Sequence, residues 1–339
     1  MSGNEKSKLK LLVLFDILER YTDKTHGINM GEIMERLSAE EITAERKGIY
    51  RDINLLREAG YDIIKYKENR DVYYKLASRR FDMPELKMMV DAVVSSRFIT
   101  EDQSERLIKK LESECSSYES KELQRTVRLF DRPKTVNDLV LNNIGILSEA
   151  ISEGKKISFE YMQWSVKKTL VKRENGDRRI VSPIFLEFYN DKYYLISYDD
   201  AKNDTRHFRV DLMQNVRVEN LPVSEHVFDK KYSNQAMYSS SMVDMFDGEK
   251  TEVRLLAHKN KVGVIFDKFG TSAVDVLPLP YDKENEIYQC RVTTAVSKTF
   301  FGWLLAVSGD VTLKGPDSVK EKFENLCREI ANGTETIRK

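Results

Sequence analysis

Three things are scarce in this sequence: net charge, long apolar runs and cysteine. Its 55 Lys and Arg are balanced by 55 Asp and Glu, which excludes bulk attraction to a polyanion and requires any nucleic-acid contact to be a local patch. No stretch approaches the roughly 18 consecutive apolar residues that a membrane-spanning helix needs. The leucine-rich segment Leu9–Leu18 follows Lys6, Lys8 and Lys10 in the manner of a signal peptide. Asp16 and Glu19 interrupt it, however, and no small-residue cleavage site follows, so it reads as a helix of the folded chain. Cys115, Cys290 and Cys327 are odd in number and far apart, which predicts free thiols in a reducing cytoplasm. His26, His207, His226 and His258 are dispersed, and none has metal-ligand spacing with Cys or another His. The Walker loop, the Rossmann glycine fingerprint and the Gly-x-Ser-x-Gly elbow are missing too. The expectation is a cytoplasmic protein that is not an enzyme, with no catalytic residue, cofactor or metal.

What is present is a multidomain α+β pattern. At 339 residues, 32% charged and 41% hydrophobic, the chain has room for two or three soluble domains, each with its own core. Leu11, Leu14, Phe15 and Leu18 recur at helical spacing. Asn29 can cap a second helix carrying Ile33, Met34 and Leu37 inward, and Thr43 can cap a third that stops near Ala59-Gly60. Two β-rich runs, Tyr61–Tyr66 and Val72–Leu76, follow around the polar turn Lys67-Glu68-Asn69-Arg70. Three helices and a hairpin predict a winged helix-turn-helix over residues 1–80. Capping-box patterns at Asp82–Glu85 and Thr100–Gln103 predict a helical connector over 81–137.

A helix from Asp138 to Glu153 opens a unit spanning 138–225. Within it Ile157, Phe159 and Tyr161 alternate with Ser158 and Glu160. Asn175-Gly176 is a hairpin signal, Ile184–Tyr198 turns at Asn190-Asp191, and Arg206–Val218 supplies further strand. Residues 150–220 thus read as a small, mostly antiparallel barrel or curled sheet. Residues 245–339 read β-α-β-β-α-β plus a helix, the order of a ferredoxin-like domain.

On a helix at about 100° per residue, Ile49, Ile53 and Leu56 fall within about 60° of one another, while Thr43, Arg46, Lys47, Tyr50, Arg51 and Asn54 occupy an opposite arc of roughly 140°. Glu45 and Asp52 lie elsewhere. A solvated helix face has the same look, but as the third helix of a helix-turn-helix this arc suits a major groove, where guanidinium reads guanine and Lys neutralises phosphate. Lys67, Asn69 and Arg70 at the wing tip fit either a DNA contact or ordinary turn polarity.

Several segments carry a family resemblance. Lys192-Tyr193-Tyr194-Leu195-Ile196-Ser197-Tyr198-Asp199 resembles the motif that names the WYL domain, with Tyr193 where that family often has Trp. Ile157–Tyr161, Val181-Ser182-Pro183 and Arg206–Asp211 fit alongside it. Ala44–Ile53 is similar to the recognition helix of WYL-type regulators, and Trp303-Leu304-Leu305 with the following strand is similar to their C-terminal extension. The resemblance implies a bacterial homodimeric DNA-binding transcription regulator. Its WYL domain, an Sm-like β-fold, would bind a nucleic-acid or nucleotide effector. The family continues Phe-Arg-x-Asp with another Arg, whereas Leu212 and Met213 follow Asp211 here. Strand alternation places His207, Arg209 and Asp211 on one face and Phe208, Val210 and Leu212 on the other. Arg209 and His207 then receive phosphate or carboxylate, with Tyr161, Tyr194 and Ser182 stacking or hydrogen bonding. In the competing reading the tyrosines are core and Arg209 pairs with Asp211. The expected partners are an operator in double-stranded DNA, an anionic effector and a second copy of the chain, with no membrane. The alternative function is an accessory protein whose WYL domain binds single-stranded nucleic acid as its main task.

Overall fold

The computed structural model describes residues 3–126, 133–172, 178–232, 250–279 and 286–333. The N-terminal elements are α1 (Gly3–Tyr21), β1 (Ile28–Asn29), α2 (Met30–Ala39), α3 (Arg46–Glu58), β2 (Ile63–Glu68) and β3 (Asp71–Leu76). Leu14, Ile17 and Leu18 of α1 pack with Ile33 and Leu37 of α2 and Ile49 and Ile53 of α3 in one cluster. The strands form an antiparallel sheet in the order β1-β3-β2. The Thr22 hydroxyl donates to the Leu18 carbonyl at 2.6 Å and accepts from the Leu76 amide at 2.9 Å, so it closes α1 and ties β3 to it. Asn29 caps α2 as expected, reciprocated by Glu32.

Thr43 does not cap α3. The N-cap is Glu45, without a side-chain bond, because Ile42 and Ala44 are drawn onto the hydrophobic cluster and residues 42–45 stay non-helical. Gly60, at φ 98°, supplies the left-handed stop.

The connector comprises α4 (Met83–Ser95), α5 (Glu101–Glu112) and α6 (Ser117–Thr126), and both expected capping boxes are formed. Leu86, Val90, Val94, Ile108 and Leu123 make a separate core.

Next come α7 (Val140–Glu153), β4 (Lys155–Trp164), β5 (Leu170–Lys172), β6 (Arg179–Tyr189), β7 (Lys192–Asp199), β8 (Asp204–Arg209) and β9 (Met213–Pro222). They form a curled antiparallel sheet of order β5-β4-β6-β7-β8, with β9 on β4. Asn190 and Asp191 take φ of 47° and 58°, the double left-handed turn that matches hairpin twist. The Asn175-Gly176 turn lies outside the described residues. Ser158 is fully buried, and its hydroxyl is satisfied there: Arg178 Nε donates to it at 2.7 Å and it donates to Glu219.

Arg206–Val218 is not continuous strand. Val210–Leu212 is a 3₁₀ turn between β8 and β9, so Asp211 does not occupy the alternating position read from the sequence. The turn is held from beneath: the Asn137 amide donates to the carbonyls of Asp211 and Met213, both at 3.0 Å.

The C-terminal elements are β10 (Lys250–His258), α8 (Val262–Phe269), β11 (Val274–Pro278), β12 (Ile287–Ala295), α9 (Lys298–Ala306), β13 (Val311–Gly315) and α10 (Asp317–Ala331). Their sheet runs β11-β12-β10-β13, all antiparallel. The helices cover one face, where Val253, Leu255, Cys290, Val292 and Phe300 form the core.

Candidate nucleic-acid interface and ligand face

Thr43, Arg46, Lys47, Tyr50, Arg51 and Asn54 are all exposed, while Ile49, Ile53 and Leu56 are buried. Among the described residues Arg46, Lys47 and Arg51 enter no ion pair. The acids are removed from the arc in two ways: Glu45 sits at the N-cap, and Asp52 turns inward to Lys10 Nζ of α1 at 2.9 Å. Lys10 is reached across Gly48, where a Cβ would stand 3.1 Å from its ammonium nitrogen. A face of three unpaired cations, two hydrogen-bonding side chains and an aromatic therefore remains open. Lys67, Asn69 and Arg70 are exposed at the β2–β3 turn, with Asn69 at φ 56°. The sequence reading missed Lys10, whose signal was its position on the charged side of an amphipathic helix.

On the curled sheet, Tyr194 of β7 lies opposite Arg209 of β8, and Ile196 opposite His207. Directly opposed residues in an antiparallel pair share a face, so Tyr194, His207 and Arg209 are brought together. Tyr161 reaches the edge of the group through its hydroxyl, which accepts from the Arg209 amide at 3.1 Å. Its ring packs against Phe208 with 5.2 Å between centroids. Ser182 stands apart: it pairs with Tyr198, four residues or roughly 13 Å along β7 from Tyr194. It is buried, and its hydroxyl accepts from the Ser224 amide at 2.9 Å. Tyr232 packs with Phe185 and Ile196 and closes that end of the face.

The charge arrangement is specific. Arg209 donates twice to Asp211, at 3.0 and 2.7 Å, and Lys192 joins the same carboxylate at 3.0 Å. Two cations converge on one buried acid at a half-open surface, and Lys192 is a member that the sequence reading did not include. Burial pushes the Asp211 carboxyl up, but the Arg209 hydrogen bonds and the charges of Arg209 and Lys192 outweigh it and hold the group below its ordinary range. The bond to Asp211 raises Arg209 further, while burial pulls His207 down against a small opposing effect of Asp204. His207 is thus held toward its neutral form unless an anion arrives.

The helical connector and the residues leading into it contact the end of α1 on one side and the curled sheet on the other. At one end the Ser116 hydroxyl donates to Asp23 at 2.8 Å in a buried contact, and Arg79 donates to the Glu19 carbonyl at 2.6 Å. At the other, Asn137 holds the Asp211 turn. Gln103 donates to the Asp138 carbonyl at 2.6 Å, and Phe98 packs edge-on against Tyr193 at 5.0 Å.

Residues 142–218 match the family model of the WYL domain. Two solved structures are similar along the chain. One is proteasome accessory factor B/C (PafBC) of Arthrobacter aurescens, 17% identical over 98% of this chain and 49% of that one, with a TM-score of 0.27. The other is a CRISPR Cas-related protein, 14% identical over 98% of this chain and 80% of that one, with a TM-score of 0.36. The chain spans about half the length of the PafBC structure. No curated protein matches. Among the described residues no helix is long and apolar enough to cross a membrane, and no group of three His, Cys, Asp or Glu is placed to hold a metal.

Proposed function

We propose that this chain is a cytoplasmic bacterial transcription regulator, not an enzyme. Residues 1–80 form a winged helix-turn-helix that reads an operator in double-stranded DNA, and residues 138–225 bind an anionic nucleic-acid or nucleotide effector. The observation that carries the reading is the exposed face of α3: five DNA-compatible side chains point outward, with Thr43 exposed just ahead of the helix and Asp52 withdrawn into an ion pair with Lys10. A three-helix core with an attached hairpin supports the winged-helix assignment. The curled sheet and the match to the WYL domain support an Sm-like effector domain, whose ligand would meet Arg209, Lys192, His207, Tyr194 and Tyr161. The order β11-β12-β10-β13 supports a ferredoxin-like unit over 245–339. A homodimer is part of the reading, because one such helix covers only a short half-site and two placed about one helical turn apart supply the missing affinity.

Genome-wide capture of bound DNA, with and without short single-stranded oligonucleotides, tests the function. Discrete palindromic or repeated sites that shift in occupancy with the oligonucleotide are expected. Tighter binding to single strands without duplex preference would instead favour an accessory single-strand-binding protein. Arg209→Ala should weaken the effector at least tenfold, the loss of one charge-assisted contact, while effector-free operator binding stays unchanged.

A further inference from the structure

After β9 the chain crosses the face of the curled sheet that carries Arg209. Tyr194, Ile196 and Tyr198 of β7 alternate onto that face, with Arg209, His207 and Thr205 of β8 opposite them in turn. Phe185 of β6 stands opposite Ile196 on the other flank. The crossing segment is a strap of two 3₁₀ turns, Glu225–Phe228 and Lys230–Tyr232. Ser224 anchors its start by donating its amide to the Ser182 hydroxyl at 2.9 Å, and the His226 ring lies 4.5 Å from that of Tyr198. None of residues 223–230 is buried, and Phe228 is 79% exposed. Tyr232, by contrast, is 7% exposed. Its ring packs on Phe185 and Ile196 with Tyr194 alongside, and its hydroxyl shares a hydrogen bond with that of Thr205.

An aromatic ring is thereby set one step along the sheet from the cations. Ile196 and His207 lie two residues, roughly 6.6 Å, from Tyr194 and Arg209, so the corner where Arg209 and Lys192 meet Asp211 and the place of the Tyr232 ring are neighbours. Glu187, opposite Tyr194 on β6, confines an anion to the β8 side. A ring seated on apolar and aromatic side chains beside a guanidinium is how single-stranded nucleic acid is held, with base stacking next to phosphate binding. The place under Tyr232 has the composition of such a stacking subsite, and the chain fills it with its own ring. A tyrosine that served only the core would come from an element with further buried side chains; the strap brings this one alone among its described side chains.

We propose that Tyr232 is an internal ligand of the effector face. Its ring fills a subsite for a nucleobase, so a ligand that joins an anion to a base must displace it, whereas an anion alone binds at Arg209 beside it. This role rests on the effector assignment of residues 138–225. Apparent affinity for a base-bearing ligand is then reduced by the fraction of molecules in which the strap is open. Release of the strap also supplies the difference between two states that a regulatory ligand needs.

Titration of the full chain with 5′-phosphorylated tetrathymidylate, with an abasic tetramer of the same charge and with inorganic phosphate tests this. Tyr232→Ala should tighten tetrathymidylate at least tenfold, about 1.4 kcal/mol, and leave the abasic tetramer and phosphate unchanged. Tyr232→Phe, which keeps the ring, should stay close to wild type, and Arg209→Ala should weaken all three probes. Thermal unfolding shows whether Tyr232→Ala folds, and amide exchange in the wild-type chain decides the matter without any substitution. Saturating tetrathymidylate should accelerate exchange at the Asp229 and Tyr232 amides, which bond within the short turns of the strap, and the abasic tetramer should not. Equal tetrathymidylate affinity in wild type and folded Tyr232→Ala, or strap amides unmoved by saturating ligand, overturns the internal-ligand role and leaves the effector assignment standing. Absence of tetrathymidylate binding to wild type and Tyr232→Ala at millimolar concentration, or binding that survives Arg209→Ala intact, overturns the effector assignment and this role with it.

Discussion

Replacing Lys10 by Met isolates what holds the candidate reader helix in place. The Lys10–Asp52 pair joins α1 to α3 at 2.9 Å, with the two side chains only 15% and 11% exposed. At an effective dielectric of about 20 the gross attraction at that distance is about 6 kcal/mol, and desolvation of both ions offsets much of it. Removing Lys10 alone forfeits the attraction but leaves Asp52 facing the interior, so the loss should be about 2–4 kcal/mol. Asp52 is flanked by Ile49 and Ile53 on the buried side of α3, so this energy resists local opening of that helix. Amide hydrogen exchange of the full chain, followed over residues 46–58, reads it directly. Exchange there should accelerate roughly 30- to 1,000-fold, at a factor of ten for each 1.4 kcal/mol. Lys10→Met combined with Asp52→Leu should recover protection to within about 1 kcal/mol, because replacing a buried pair by apolar groups is near neutral. If the single variant exchanges at the wild-type rate, the pair is not what anchors the helix. If the double variant is as labile as the single one, an uncompensated Asp52 is not the cause.

Arg46→Ala and Arg51→Ala should each weaken operator binding by about 1–3 kcal/mol and leave thermal unfolding unchanged, since neither forms an ion pair among the described residues; unaltered affinity at fixed salt would remove α3 as the reader. Asn137→Ala frees the Asp211 carbonyl and leaves that of Met213 to Asn143 alone, so effector affinity should fall modestly while the response of operator binding to effector is largely lost; an intact response in gel shifts would show that the signal travels elsewhere. Acidification has a defined sign. Burial lowers His207 in the folded chain, so the unfolded chain binds more protons there and stability falls as pH drops below about 6.5. Asp211, held below its ordinary range, contributes stability above about pH 3.9 that is lost as pH falls through its folded value. His207→Phe should flatten the first of these two declines in melting temperature, and an unchanged profile would exclude His207 as its source.

Much of this architecture could be read from local rules. The capping boxes at Asp82 and Thr100, the positive-φ turn at Asn190-Asp191 and the apolar stripe of α3 depend on residues within a few positions of one another, so the sequence states them directly. Thr43 failed as a cap because its competitor was not local: burial of Ile42 and Ala44 kept the chain extended. The strand expected through Asp211 failed for the same reason, since the 3₁₀ turn there is held by Asn137, 74 residues earlier. Site residues divide in the same way. Tyr194 and Arg209 could be grouped by sequence motif, but the strand register sets Ser182 roughly 13 Å along β7 from Tyr194, and Lys192 enters only because the pairing of β7 with β8 brings it to Asp211.

These long-range contacts are also where a regulatory signal would have to run. The Arg209–Asp211 pair lies on the candidate ligand face, yet the backbone carbonyl of Asp211 is bound by Asn137, just ahead of α7. Asn137 Oδ1 accepts from the Leu139 amide at 3.0 Å, and the neighbouring Asp138 carbonyl is held by Gln103 of α5. At its other end the connector places Ser116 on Asp23, which also accepts from the amides of Thr25 and His26 in the loop between α1 and α2. An anion that competes with Asp211 for Arg209 would loosen the carboxylate and thereby the turn that Asn137 grips. Whether that moves the reader depends on differential binding to two arrangements of the connector, and an effector without such a preference would occupy the face and change nothing. Reciprocity supplies the check: operator DNA must alter effector affinity by the same factor by which effector alters operator affinity. Ser116→Ala, which removes the contact with Asp23 at the far end from the ligand, should reduce both factors equally while leaving each separate affinity nearly intact. If Ser116→Ala leaves both factors at their wild-type value, the coupling does not run through this contact of the connector.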